Sequence, residues 1–144
     1  MRVHQILRMK GSKVVTVAPH ITIDALAHRL MLERIGAVPV VNEDGRVVGI
    51  VSERDLVTGL AQHGPALGEK TVEDLMTTNV VSCSPDAGVK EVMQLMTARR
   101  VRHLPVVEHG RLIGIVSIGD IVKNRLDDME METNVLRDAL IAAH

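Results

Sequence analysis

At 144 residues, the chain is long enough to bury roughly 70% of its unfolded surface without a disulfide staple, and its single Cys83 excludes an intramolecular bridge. Seventeen Lys and Arg against 18 Asp and Glu give no general attraction to nucleic acid or to an anionic membrane surface. Phe, Tyr and Trp are absent, so no base can stack on an aromatic ring, and a bound base must lie between aliphatic side chains and backbone amides.

In chain order, "MRVHQILRMKGSK" is too charged and too poor in apolar residues for a signal peptide; Val3–Leu7 within it predicts a short helix. Val14–Val17 reads as a β-branched strand that ends at a proline. Leu26, Leu30 and Met31 then mark one face of a helix. Two Val/Ile-rich runs, 38–41 and 47–51, flank the turn "NEDG" as a hairpin would, and a helix opens at Ser52. Ala61–Lys70 carries the Gly and Pro of a linker, and Thr71–Met76 starts another short helix.

The pattern then returns. Val80–Cys83 predicts a strand, Val92, Met93 and Met96 a helical face, 104–107 with 112–116 a hairpin, and Ser117 a helix start. After Asp120 the chain runs without Gly or Pro to "LRDALIA". That predicts one long helix striped by Val122, Leu126, Met129, Leu136 and Leu140, whose far end is expected to pack on another chain. No apolar run approaches the roughly 18 residues needed to cross a bilayer, and a cytoplasmic location is expected.

Two copies of one unit account for this return. A slide of 66 places sets "VVTVAP" over "VVSCSP" and "VPVV" over "LPVV". One residue is lost in the hairpin turn, and "GRVVGIVSERDLV" then lies over "GRLIGIVSIGDIV". Each unit reads β-α-β-β-α. The expected boundaries are 1–62 for the first repeat with its leading helix, 63–126 for the linker and second repeat, and 127–144 for a helical extension.

Both units end their last strand in Gly-x-x-Ser-x-x-Asp: Gly49, Ser52 and Asp55, then Gly114, Ser117 and Asp120. Ser with an acidic residue three later is a capping box worth roughly 1 kcal/mol. Thr71 and Asp74 share that spacing without the preceding strand, so the four letters alone prove little. A strand feeding straight into a helix start is more telling, because free N–H groups and the helix dipole favour an anion there. The aspartates cannot sit at that anion, since like charges about 4 Å apart cost roughly 4 kcal/mol at a dielectric of 20. A carboxylate does suit two adjacent hydroxyls. Ser toward phosphate and Asp toward a ribose diol is one coherent reading; caps alone is the other.

The segments "GAVPVVNEDGRVVGIVSERD" and "RHLPVVEHGRLIGIVSIGD", preceded by "VVTVAP" and "VVSCSP", resemble the CBS (cystathionine β-synthase) domain, and the pair resembles a stand-alone Bateman module. The resemblance implies an α/β (α+β) fold of tandem repeats packed sheet to sheet about a pseudo-twofold axis, with two clefts for adenosine ligands: AMP, ADP, ATP, NAD(H) or S-adenosylmethionine. It implies that Ser52 and Asp55, with Arg54 from the same motif, share a cleft with Val101, Arg102 and His103. Ser117 and Asp120 would share theirs with Ile35, Gly36 and Ala37, and backbone near Ser12–Val14 and Thr78–Val80 would line the adenine pockets. With Gly119 where the first copy has Arg54, the second cleft should be roomier and less basic, and the more highly charged ligand should prefer the Asp55 cleft.

A non-catalytic sensor follows from the resemblance, acting through a homodimer or on a protein partner, with a ligand-independent interaction module as the alternative. No nucleophile–base set stands out for an enzyme. "RRVRH" (Arg99–His103) suits ligand phosphate or solvent better than nucleic acid. The seven histidines (His4, His20, His28, His63, His103, His109 and His144) lack metal-ligand spacing. Cys83 matches Val17 of the other copy and reads as a small hydrophobe.

Overall fold

A computed structural model describes residues 1–11 and 13–142. Helix α1 (Val3–Lys10) is started by Arg2 and Gln5, whose Oε1 accepts the Arg2 N–H at 2.7 Å. Helix α2 (Ile23–Glu33) is capped by Thr22 Oγ1, which accepts from Ala25 N–H at 3.2 Å. Strands β1 (Ala37–Val41) and β2 (Val47–Ser52) form an antiparallel hairpin that sets Ala37 opposite Ser52 and Val40 opposite Gly49. Helix α3 (Glu53–His63) follows, then a 3-10 turn (Gly64–Glu69) and the single-turn helix α4 (Val72–Leu75). Helix α5 (Val89–Arg99), strands β3 (His103–Glu108) and β4 (Arg111–Ser117), and the long helix α6 (Ile118–Ala142) complete the second copy. Its hairpin repeats the register, with His103 opposite Ser117 and Val106 opposite Gly114.

The first strand expected in each repeat shrinks to one parallel bridge, Val17 to Val40 and Cys83 to Val106. Val17 N–H donates to Pro39 O, and Val41 N–H donates to Val17 O. Growing that ladder backward needs a donor at Pro39, and growing it forward needs one at Pro19. Neither proline has an N–H. Cys83 makes the same two bonds with Pro105 and Val107, clipped by Pro105 and Pro85. Four prolines thus set the width of both ladders.

Each hairpin covers its helix with its own core. Leu26, Leu30, Val38, Val40 and Val51 pack in the first, and Val92, Met96, Leu104, Val106, Val116 and Ile121 in the second. Met31, expected on the apolar face of α2, is 65% exposed instead, because Leu26 and Leu30 already fill the i, i+4 stripe that faces the sheet. The linker is ordered rather than open: Leu67 joins the first core.

The short helices are exchanged between the repeats. Helix α1 precedes the first repeat in sequence, yet Val3, Ile6 and Leu7 pack in the second core, whereas Val72 of α4 packs in the first. Backbone bridges fix both, Arg2 to Gly88 and Thr22 to Thr71. Gly49 and Gly114 are the seats. A Cβ on Gly49 would meet Met76 Sδ at 2.5 Å, and one on Gly114 would meet Leu7 Cδ2 at 2.6 Å. At the far end of the hairpins, Arg111 reaches over Gly45 while Arg46 reaches over Gly110. That reciprocity is what a pseudo-twofold axis imposes.

Candidate functional site

The end of β2, the start of α3, the stretch after α4 and the turn before β3 enclose a cleft of about 330 Å³, within the range that holds small ligands. The Ser52, Arg54 and Asp55 side of the first repeat and Val101, Arg102 and His103 of the second line it together. Thr77, Asn79 and Val81 line it where Thr78–Val80 was expected. Ser12, invoked for the other adenine pocket, lies outside the described residues.

The Ser-x-x-Asp motif is a cap and leaves room to be more. Asp55 Oδ2 accepts from Ser52 N–H at 2.8 Å and from Ser52 Oγ at 3.2 Å. Both bonds fall on one oxygen, so Oδ1 of this cleft-lining residue has no hydrogen-bond partner among the described residues. Thr71 and Asp74 build the same box, at 3.0 and 3.1 Å, on the surface. There the backbone and side-chain bonds from Thr71 hold the Asp74 carboxyl below its ordinary value. The spacing therefore makes a cap everywhere; only its placement beside a cleft can make it a site.

Gly36 and Ala37 depart from the expected partition. They were assigned opposite Ser117 and Asp120, and the structure sets them along the Asp55 cleft. The hairpin register demands it: Ala37 pairs with Ser52, and Gly36 O accepts from Glu53 N–H at 2.9 Å. The mirror bond, Ile118 N–H to Arg102 O at 2.8 Å, ties the β3 start to Ser117. The two strand starts therefore meet near the pseudo-axis, where a Cβ on Gly36 would lie 3.9 Å from His103 Cε1. Ile35 turns away from the cleft and packs against the first core.

Sequence reasoning missed Ile50, Glu53 and Arg100 as lining residues. Arg100 follows α5 with φ of 56° and matches Arg34 after α2, with φ of 55°. Each closes a Schellman motif: Val101 N–H reaches Met96 O and Arg100 N–H reaches Thr97 O, just as Ile35 N–H reaches Leu30 O and Arg34 N–H reaches Met31 O. Glycine is the usual occupant, because a Cβ in this left-handed conformation costs about 1 kcal/mol or more. A guanidinium held at that cost beside a cleft was legible only as a helix end in "RRVRH". With Arg54, Arg100 and Arg102 against Glu53 and Asp55, the cleft wall carries a net positive charge.

The Asp120 side is different in kind. Lys10 Nζ lies 2.8 Å from Asp120 Oδ2 and donates to Ile115 O at 2.9 Å. Asp120 also accepts from Ser117 N–H at 2.8 Å, and Asp120 N–H donates to Ser117 Oγ at 3.2 Å. Burial pushes the Asp120 carboxyl up, but the bonds from Lys10 and Ser117 prevail and hold it below its ordinary value. With Leu7 seated on Gly114 as Met76 is on Gly49, the residue corresponding to Lys10 is the neutral Asn79. His103 lies half-buried between the two regions. Its pKa is lowered first by burial and then by Lys10, with Asp120 and Glu53 opposing.

Elsewhere, burial raises the Cys83 thiol to about 11, so it is not a nucleophile at neutral pH. Among the described residues no three His, Cys, Asp or Glu side chains gather as a metal site, and no helix is long and apolar enough to cross a membrane.

The family model described as "CBS domain" matches residues 6–62 and 72–127, one match per repeat. The CBS domain-containing protein YhcV of Bacillus subtilis is 33% identical over 117 residues, 81% of this chain and 82% of its own length. The crystal structure of the CBS-domain containing protein ATU1752 from Agrobacterium tumefaciens superposes with a TM-score of 0.83 at 47% identity, covering 86% of this chain and 92% of that one. The CBS domain pair of protein MJ0100, crystallised with 5′-methylthioadenosine and S-adenosyl-L-methionine, superposes at 0.75 with 30% identity, covering 89% and 98%.

Proposed function

The chain belongs to the CBS domain family as a tandem pair, and on that premise we propose that it is a non-catalytic regulatory module that binds one adenine nucleotide per chain, in the Asp55 cleft. The observation that carries this is the asymmetry of the two carboxylates: Asp55 lines a cleft with three guanidinium groups and makes no ion pair among the described residues, whereas Asp120 is paired with Lys10. The Asp55 carboxylate takes the ribose diol. Arg54, Arg100, Arg102 and the start of α3 take the phosphate, with Ser52 Oγ able to turn toward it. The aliphatic walls of Ile50 and Val81, with the backbone near Thr77, hold the base.

Net positive charge favours AMP, ADP, ATP or NAD(H) over the cationic sulfonium of S-adenosylmethionine, although MJ0100 was crystallised with the latter. Binding stabilises one arrangement of the two repeats, and a homodimer or a protein target reads the shift. A second reading, a module that works without ligand, is favoured by the fact that the same capping box forms at Thr71 and Asp74, away from the cleft, so the motif has a full structural role of its own. Thermal melts with AMP, ADP, ATP, NAD, NADH and S-adenosylmethionine decide between them. A ligand at 100 times its Kd stabilises by about 2.7 kcal/mol; no shift with any of the six would leave only the second reading.

A further inference from the structure

Helix α6 carries two different faces, one buried and one apolar but exposed. Ile121 and Asn124 are buried against the second repeat, and Asp128 is half-buried on the same side. About a third of a turn round, Val122, Leu126, Met129, Leu136 and Leu140 are 50–66% exposed. With Thr133 they are spaced 4, 3, 4, 3 and 4 residues apart, the a/d pattern of a coiled coil, with Leu126, Thr133 and Leu140 at a and Met129 and Leu136 at d. Thr133 does not spoil the seam, because its hydroxyl donates to Met129 O at 3.0 Å within the helix and only its methyl need face a partner.

The flanking charges specify the partner and its direction. In a parallel, in-register pair, each g position faces the e′ position five residues on. That sets Arg125 against Glu130′ and Glu132 against Arg137′, both attractive. The antiparallel pairing that also aligns the seam, Leu126 on Leu136′, sets Glu130 on Glu130′, Glu132 on Glu132′ and Lys123 on Arg137′, all repulsive. None of these charged groups makes an ion pair within its own chain among the described residues. Met131, Val135 and Ile141 fall off the seam and take no part in it.

We infer that the far half of α6 pairs with α6 of a second copy as a parallel, in-register two-stranded coil. Leu126 to Leu140 spans about 21 Å, too short to hold by itself, so the coil works with the folded repeats attached. This rests on the homodimer reading and on no ligand. It also orients the pair, because a parallel coil puts the twofold axis along α6.

The test uses the full chain with Cys83→Val, which places the residue of the other repeat at that position. Leu136→Cys should link to itself under mild oxidation, since a d residue faces its own mate. Arg137→Glu should weaken self-association in sedimentation equilibrium about tenfold, and Glu132→Arg combined with Arg137→Glu should restore it. These positions are exposed, and unchanged melting of the repeats checks that the variants fold. Cross-linking only when Leu126→Cys protein is mixed with Leu136→Cys protein, or a dimer indifferent to Leu136→Asp, overturns the parallel coil and leaves the homodimer standing. A monomer at every concentration overturns both.

Discussion

The two repeats share a register, a capping box and a seated glycine, yet their carboxylates have opposite fates. Asp55 lines a cleft with Asn79 and makes no ion pair among the described residues; Asp120 is paired with Lys10. The exchange of the short helices explains the difference. Helix α1 continues to Lys10 and carries an ammonium onto the end of β4, whereas α4 stops at Leu75 and leaves extended backbone, Thr77, bridged to Ile50. A near-identical heptad thus lines an open cleft in one copy and joins an internal ion pair in the other. The deciding residue lies outside both heptads.

The largest expected break in that comparison is at the carboxylates. Asp55→Asn should weaken AMP about 100-fold in calorimetry, the worth of a charge-assisted pair of hydrogen bonds. Asp120→Asn should leave AMP affinity unchanged and lower stability by about 1 kcal/mol through its cap. Equal losses of affinity in the two variants would refute the one-site reading.

Next comes Lys10→Met, which frees Asp120 and should raise the binding stoichiometry from one to two per chain, the added site being weaker because Gly119 replaces Arg54 there. The same variant should blunt the acid limb of unfolding. A carboxyl held low in the folded state contributes stability above its ordinary value of 3.8, and that contribution is lost as pH falls through the folded value.

A smaller effect separates the two left-handed arginines. Arg34→Gly and Arg100→Gly should each stabilise the fold by about 0.5–1 kcal/mol in urea melts, relieving the same strain. Only Arg100→Gly should weaken AMP, about tenfold. If Arg34→Gly weakened it equally, the cleft assignment of Arg100 would fall.

The gentlest expectation concerns His103, which the two regions share. A histidine held low in the folded state leaves stability whole above 6.5, and stability is lost as pH falls from there through the lowered folded value. A bound phosphate favours the imidazolium, so AMP should take up a fraction of a proton on binding just below 6.5. Calorimetry in buffers of different ionisation heat reads this, and His103→Gln, which leaves only the phosphate's own proton, should abolish the excess.

The repeat, the α-β-β-α order that follows each single bridge, the helix starts at Ser52 and Ser117 and most of the core stripes were legible because they are local: periodicity and capping act within a few residues. The chain also spelled out the cluster of Ser52, Asp55, Arg102 and His103, though through its likeness to a family rather than through spacing. The tertiary structure alone decided which short helix serves which repeat, that prolines facing one another across a ladder limit it to one bridge, and that Lys10 reaches Asp120 from 110 residues away. Those outcomes depend on which backbone donors and which charges are brought together by packing, and no local pattern in a sequence encodes a partner that distant.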